Sequence, residues 1–408
     1  MRKTFFIFLV LFTISSFSQI VIKGTVFEQN GPLENVAVYL NNTMLGTTTD
    51  KNGEFSISVK SGQYDLIVSY LGFKKINYSL NTATYSKPLV FALVEDDEML
   101  NEIIIKKTVY DEEWKHNLAV FKTEFLGKTA LAKDCEILNP EVLYFEYNSK
   151  VQILTAFARK PIQLKHKGLG YSIIYELEHF KRTSEYVTYL GYSRYKELKG
   201  GKRKQKRWQK NRLKAYNGSP VHFFKSLLKD EFTAEGFIVN QFKRVPNPER
   251  PTALEIKAAR ELIKLNRNTK FVIPTKDAKP TTALDTAWVT VSKAKLPKSA
   301  DYLYKSQLQK DDIITTINDA FKLSFENNIS IVYKNELEEM GYITRNIFSK
   351  KREPTFQTSS LIPMEKNIYV DKTGVLVNPL AVFYEGYWSY EKFANSLPLD
   401  YNPVGNSQ

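Results

Sequence analysis

Between Ile20 and Val94 the chain alternates apolar and polar residues in short runs, each closed by a cluster of turn formers. Val36, Val38 and Leu40 share one face of such a run, as do Phe55, Ile57 and Val59, and then Tyr64, Leu66, Val68 and Tyr70. A side-chain period of two places alternate residues on opposite faces of an extended strand, so one face enters a core and the other meets water. Asn30-Gly31-Pro32, Asp50-Lys51-Asn52-Gly53, Ser61-Gly62 and Gly72 separate the runs, and residues of these types are the ones that tight turns demand. The pattern predicts a compact antiparallel β-sandwich over residues 20–94.

The residues before the sandwich predict its compartment. Arg2 and Lys3 form a positive leader, Phe5 to Phe12 are continuously apolar, and Ser16-Phe17-Ser18 puts small residues at −3 and −1 of a cleavage before Gln19. This is the grammar of a secretory signal, and its apolar stretch is shorter than the ~20 residues of a membrane-spanning helix. No Cys stands at the cleavage point to carry a lipid anchor. The expectation is an exported protein, periplasmic or associated with the outer membrane, without a transmembrane segment. The single cysteine, Cys135, reads as a small buried hydrophobe.

Charge is unevenly spread. The chain carries a net charge of +14 over 408 residues. Nine of its Lys and Arg lie in the segment Lys199–Lys214, and no acid occurs from Leu198 through Lys229. Three readings of this cluster compete: a flexible solvated face, an anionic surface such as phosphorylated lipid head groups or acidic polysaccharide, and nucleic acid, which export disfavours. The residues that would serve an anionic surface are Lys202, Arg203, Lys204, Lys206, Arg207, Trp208, Lys210 and Arg212. Trp208 suits either an interfacial anchor or ordinary packing.

Gly24-Thr25-Val26, Leu33-x-x-Val36-x-Val38, Gly46-Thr47-Thr48-Thr49-Asp50, Gly53-x-Phe55 and Ser69-Tyr70-Leu71-Gly72-Phe73 together resemble the carboxypeptidase-regulatory-like domain. The resemblance implies a transthyretin-like sandwich of seven strands. That domain often precedes the plug of TonB-dependent receptors, and Leu100-Asn101-Glu102-Ile103-Ile104-Ile105 resembles the linker between them. The remaining chain is too short for a receptor barrel of about 22 strands. It resembles instead the C-terminal region of stand-alone bacterial proteins that begin with this sandwich, through Ala156-x-Ala158-x-x-Pro161, Leu169-Gly170-Tyr171, Tyr216-x-Gly218-Ser219-x-x-His222-Phe223 and Leu397-Pro398-Leu399-Asp400-Tyr401. That resemblance implies no established activity. A zinc carboxypeptidase needs His-x-x-Glu and a distant His. None of His116, His166, His179 and His222 has Glu three positions later, so carboxypeptidase activity is excluded.

The four acids Glu95-Asp96-Asp97-Glu98 read as a solvated linker, within a connecting segment over 95–110. Beyond it, spacing predicts helices over Glu113–Lys133, Pro220–Lys229 and Ala253–Leu265, with a short one at Tyr390–Ser396. Strands are expected at Val142–Tyr147, Gln152–Phe157, Tyr171–Phe180, Tyr186–Leu190, Gly236–Phe242, Phe321–Tyr333, Asn367–Val377 and Ala381–Tyr387, with a hairpin turn at Asp371–Gly374. The whole reads as mainly β. Residues 1–18 are a signal peptide and 19–94 the sandwich. Residues 111–408 form a β-rich α+β domain of unknown function.

Candidate chemistry is sparse. Ser219 and His222, with Tyr216, are the nearest approach to a nucleophile and base, yet Gly218-Ser219-Pro220 also writes a helix N-cap with Pro at N1. Glu176 and Glu178 share a strand face; paired carboxylates can hydrolyse glycosides, and acids on an exposed face are usually solvated. Asp50-x-Asn52-Gly53 suits an Asx-type turn better than a calcium loop, which needs later ligands. No cofactor, metal or catalytic residue is expected. The preferred reading is a non-catalytic envelope adaptor or binding module for a protein or glycan partner. The alternative is an envelope hydrolase centred on Tyr216, Ser219 and His222.

Overall fold

The computed structural model describes residues 19–29, 31–96, 109–266, 280–317, 320–344 and 352–403. The expected signal peptide and the Leu100–Ile105 linker lie outside the described residues.

Eight strands build the first domain: β1 (Ile20–Glu28), β2 (Gly31–Pro32), β3 (Ala37–Leu40), β4 (Gly46–Thr48), β5 (Glu54–Val59), β6 (Gln63–Ser69), β7 (Ile76–Asn81) and β8 (Leu89–Ala92). The expected sandwich has one strand more than seven, the two-residue β2. One sheet runs β2-β1-β5 with β8 on the other side of β1, and the second runs β4-β3-β6-β7. Their inner faces meet in a closed cluster that includes Ile22, Val38, Leu40, Phe55, Leu66, Val68 and Phe91. Burying each such side chain contributes about 1.5–3 kcal/mol. The expectation of purely antiparallel pairing fails at one place: β8 lies parallel to β1, with Gly24 opposite Leu89 and Phe27 opposite Ala92. A hairpin can join only antiparallel neighbours. Here the chain crosses from the β7 sheet to the β1 sheet before β8 begins, and so arrives in the direction of β1. Asp50 accepts from Asn52 N and Glu54 N, both at 2.9 Å, which makes its loop the Asx-type turn.

The second region begins with helix α1 (Glu112–Leu126), capped by Asp111 accepting from Trp114 N. It is shorter than expected, because the chain turns at Gly127 and enters a 3-10 turn at Ala132–Asp134. Strands β9 (Cys135–Ile137), β10 (Leu143–Asn148), β11 (Ile153–Ala158), β12 (Ile162–His166), β13 (Tyr171–Arg182) and β14 (Val187–Glu197) follow. They form a six-stranded sheet ordered β10-β11-β13-β12-β9, with β14 paired to β13. Phe121 and Phe125 of α1 pack on it against Phe180, Tyr175 and Phe393. Cys135 is buried here, and burial pushes its thiol up to about 12.

After β14 come α2 (Lys202–Tyr216), α3 (Pro220–Lys229), β15 (Phe237–Pro246), α4 (Ala253–Leu265), α5 (Ala283–Lys293) and β16 (Ser299–Lys305). Then follow α6 (Lys310–Ile313), β17 (Ile314–Ile317), β18 (Ala320–Leu323), β19 (Asn328–Leu337), α7 (Met340–Ile343), β20 (Phe356–Pro363), β21 (Tyr369–Val370), β22 (Val382–Gly386) and α8 (Tyr387–Tyr390). The sheet β16-β15-β19-β20-β22 packs against α3 through a second cluster that includes Phe223, Phe224, Phe237, Tyr333 and Trp388. The described residues of this second region therefore form two hydrophobic clusters. The single strand expected over Phe321–Tyr333 is divided into β18 and β19, because Asn327 turns with φ 57° between them. The segment expected as a strand at Asn367–Val377 keeps only β21 before the Asp371–Gly374 turn.

Candidate functional site

Residues of the sandwich are used twice. Val38 and Leu40 of β3 face the internal cluster, while Tyr39 between them faces outward and is nonetheless fully buried. Its partner in register on β6, Ile67, is buried to the same degree. The cover comes from the β13–β14 hairpin. Tyr39 Oη donates to Glu176 Oε1 at 2.9 Å, Ser69 Oγ donates to Glu176 Oε2 at 2.8 Å, and Lys75 lies 3.5 Å from the same carboxylate. Arg194 sits over the Tyr39 ring, 5.4 Å from its centroid. Glu176 thus corrects the expectation that both acids of its face are solvated: it is 5% exposed, and the sandwich supplies its hydrogen bonds. Glu178 pairs with Lys75. The carboxylates are occupied by docking.

A second set of bonds holds the turn after β3. Asn42 N donates to Ser193 O at 2.7 Å, Ser193 Oγ donates to Asn42 Oδ1 at 2.6 Å, and Tyr195 N donates to Thr43 O at 2.9 Å. Residues near the end of the described chain close over the turn from the other side. Leu399 N donates to Asn42 O at 2.7 Å, and Met44 N donates to Asp400 Oδ1 at 3.2 Å.

Between these clamps opens a cleft of about 880 Å3. The sandwich lines it with Gln63, Tyr64 and Asp65 of β6 and with Asn77, Ser79 and Asn81 of β7. The second region adds Tyr192 of β14, the Asp371–Thr373 turn, and Asp400 with Asn402. Burial pushes the Asp65 carboxyl above the usual range, and the Asp371 charge adds to the shift. Burial raises Asp400 too, against the Met44 N–H bond, which favours its charged form. Lys225 approaches this group: burial lowers its ammonium, while Asp371 and Asp400 oppose that shift. Planar amides and carboxylates with hydroxyls and two tyrosines can pair adjacent hydroxyls of a ligand and lie against its apolar faces. Among the described residues, no group of three or more His, Cys, Asp or Glu is placed to hold a metal ion. No line of sequence periodicity pointed to this cleft, since its residues come from loops and outward positions of separate segments.

Ser219 is the N-cap of α3: its side chain accepts from His222 N at 3.2 Å. The imidazole does not face that hydroxyl. Its Nδ1 accepts from Gly218 N at 3.1 Å, and its Nε2 lies 3.4 Å from Glu235 Oε2. An acceptor at Nδ1 leaves the proton on Nε2, and burial depresses the ring's basicity, with Glu235 opposing. Gly218 has φ 74°, and a Cβ there would press on Tyr333 and Gln357, so glycine is required. The Tyr216 ring lies against His222, tilted by 31° with centroids 4.8 Å apart. The three residues meet as a packed helix start.

The basic segment is an ordered helix, α2, where a flexible face had been one expectation. Trp208 is 5% exposed, and its Nε1 donates to Lys167 O at 2.8 Å. Asn211 Nδ2 donates to Gly168 O, and Arg212 Nε to Leu169 O, both at 2.8 Å. Arg212 also pairs with Glu197 and lies over the Tyr171 ring at 4.0 Å. Three of the eight residues expected at an anionic surface, Arg207, Trp208 and Arg212, therefore attach the helix to the 167–170 loop, Arg207 through Nη2 to Lys167 O at 3.2 Å. Lys202, Arg203, Lys204, Lys206, Arg207 and Lys210 are exposed.

Among the described residues, no helix is long and apolar enough to cross a membrane. A search of curated proteins gives no match to the chain. Residues 22–105 match the family model of the CarboxypepD_reg-like domain. The N-terminal sandwich, with its parallel β8 and its docked outer sheet, is a CarboxypepD_reg-like domain.

Proposed function

We propose that the protein is a non-catalytic, exported adaptor of the cell envelope that binds a glycan in the cleft between its sandwich and its second region. The lining of that cleft carries the reading. Amide, hydroxyl and carboxylate side chains converge from two units that are fixed to each other, and rigid placement lowers the entropic cost of gripping a flexible polar ligand. Export follows from the N-terminal signal pattern. The engaged imidazole of His222 and the capping bond of Ser219 favour a binding role over the hydrolase alternative.

The test is retention of envelope polysaccharide by the immobilised protein, compared with Asn77→Trp. Asn77 is exposed on β7, so a bulky ring there fills the cleft and leaves the core untouched. Retention by the wild type that is lost in N77W, at an unchanged melting temperature, is the expected result. Equal retention by both, or by neither, overturns the proposal. Capture of an envelope protein alone, abolished by N77W, would overturn the glycan assignment and make the partner a protein.

A further inference from the structure

We infer that the outer face of α2 is an electrostatic docking surface for a membrane with anionic head groups. At about 100° per residue, Lys202, Lys206, Lys210, Arg203 and Arg207 fall within an arc of roughly 140°, opposite the buried Trp208. The array spans about 12 Å along the helix axis at 1.5 Å per residue. Among the described residues, no ion pair engages Lys202, Arg203, Lys204, Lys206 or Lys210.

This arrangement works against the helix that carries it. No acid occupies the first turn and no side chain caps the start, so cations crowd the positive end of the helix dipole. Lys202 and Lys206, Arg203 and Arg207, and Lys206 and Lys210 are like charges one turn apart, a spacing that destabilises a helix. The attachment of Trp208, Asn211 and Arg212 to the carbonyls of 167–169 keeps α2 formed despite them. The result is a rigid, convex row of cations with no concavity of its own. Such a shape suits an extended surface better than a small anion, which needs enclosing donors. Export, expected from the N-terminal signal, makes lipid the anionic surface within reach. The stripe presents no large apolar side chain, so the contact is adsorption without insertion.

The experiment is co-sedimentation of the full mature protein with vesicles of phosphatidylcholine alone and of phosphatidylcholine mixed with phosphatidylglycerol. The wild type should bind only the mixed vesicles. Binding should weaken steeply as salt rises, because screening acts within about 8 Å at physiological ionic strength. Replacing Lys202, Arg203, Lys206 and Lys210 together by Gln should reduce binding about a hundredfold or more and leave the melting temperature unchanged or higher, since repulsion is relieved. A control replacing the exposed Lys51, Lys87, Lys150 and Lys298 by Gln removes the same charge elsewhere and should bind nearly as the wild type does. Equal loss in both variants would assign the effect to net charge and overturn the proposal. So would indifference of the wild type to the mixed vesicles, including the case in which it binds soluble dextran sulfate instead.

Discussion

Tyr39 Oη donates to Glu176 Oε1 at 2.9 Å across 137 positions of sequence, and this bond joins the outer sheet of the sandwich to the central hairpin of the second region. Both partners are buried. Burial and the carboxylate's charge hold the Tyr39 phenol far above its ordinary range, so the hydroxyl stays a donor at any physiological pH. A buried carboxylate left without its donors is strongly unfavourable, as is a donor left without its carboxylate. The docking of the two units is therefore specific as well as tight.

Removing either partner should loosen it. Glu176→Ala should destabilise the protein by about 3 kcal/mol and Tyr39→Phe by about 1.5 kcal/mol. A double-mutant cycle in urea should give a clear coupling energy between them. Additive effects would mean the bond contributes little to docking.

Ser219→Ala removes a helix cap and nothing else. It should cost about 1 kcal/mol in chemical denaturation while leaving glycan retention intact. Loss of any envelope-hydrolysing activity in this variant, with the fold preserved, would instead restore the catalytic alternative.

Glu391 gives stability a pH dependence of known sign. Burial, with Glu339 and Glu336 adding their charges, pushes its carboxyl from 4.5 up to about 8. In that window the folded protein keeps a proton the unfolded chain has released, so its contribution to stability falls as pH rises from 4.5 to about 8. Glu391→Gln keeps an acceptor for Asn395 and carries no titratable proton. Denaturation midpoints of the variant should decline less across this range than those of the wild type; parallel curves would refute the assignment.

Gly170 adjoins the carbonyls that hold α2 and adopts φ 74°. A Cβ there would overlap the Trp208 indole. Gly170→Ala should cost about 1–2 kcal/mol from backbone conformation and more from displacing the ring. Hydrogen exchange should quicken through Lys202–Tyr216 and leave the β13 amides protected. Unchanged protection of α2 would show that the indole is not its anchor.

What was legible in the sequence was local. Ser219-Pro220 marks the start of α3, and the apolar spacing of Ala253–Leu265 marks α4, whose Thr252–Glu255 capping box fixes the same start. The turn residues of the sandwich likewise mark its strand ends. Helix α2 was hidden because only Trp208 and Ala215 are buried along it. Indole and guanidinium bonds to backbone carbonyls, which leave no hydrophobic period, hold it in place. Alternation placed Glu176 and Glu178 on one face, but only the docked sandwich distinguishes the covered acid from the outer one. The cleft was invisible for the same reason: Asp65, Asp371 and Asp400 lie in separate segments and meet only when the two units close.

The bond from Met44 N to Asp400 spans 356 positions, which has a consequence for biogenesis. A polypeptide emerging N-terminus first completes the strands of its sandwich long before the residue that latches the turn after β3 has appeared. Until then Asn42 and Met44 lack these partners, and the cleft lacks one wall. A product stopped short of Leu399 would carry a formed first domain with an open turn, a ready substrate for proteases. Closure by so distant a residue thus makes the finished cleft a report on synthesis of the chain through Asp400.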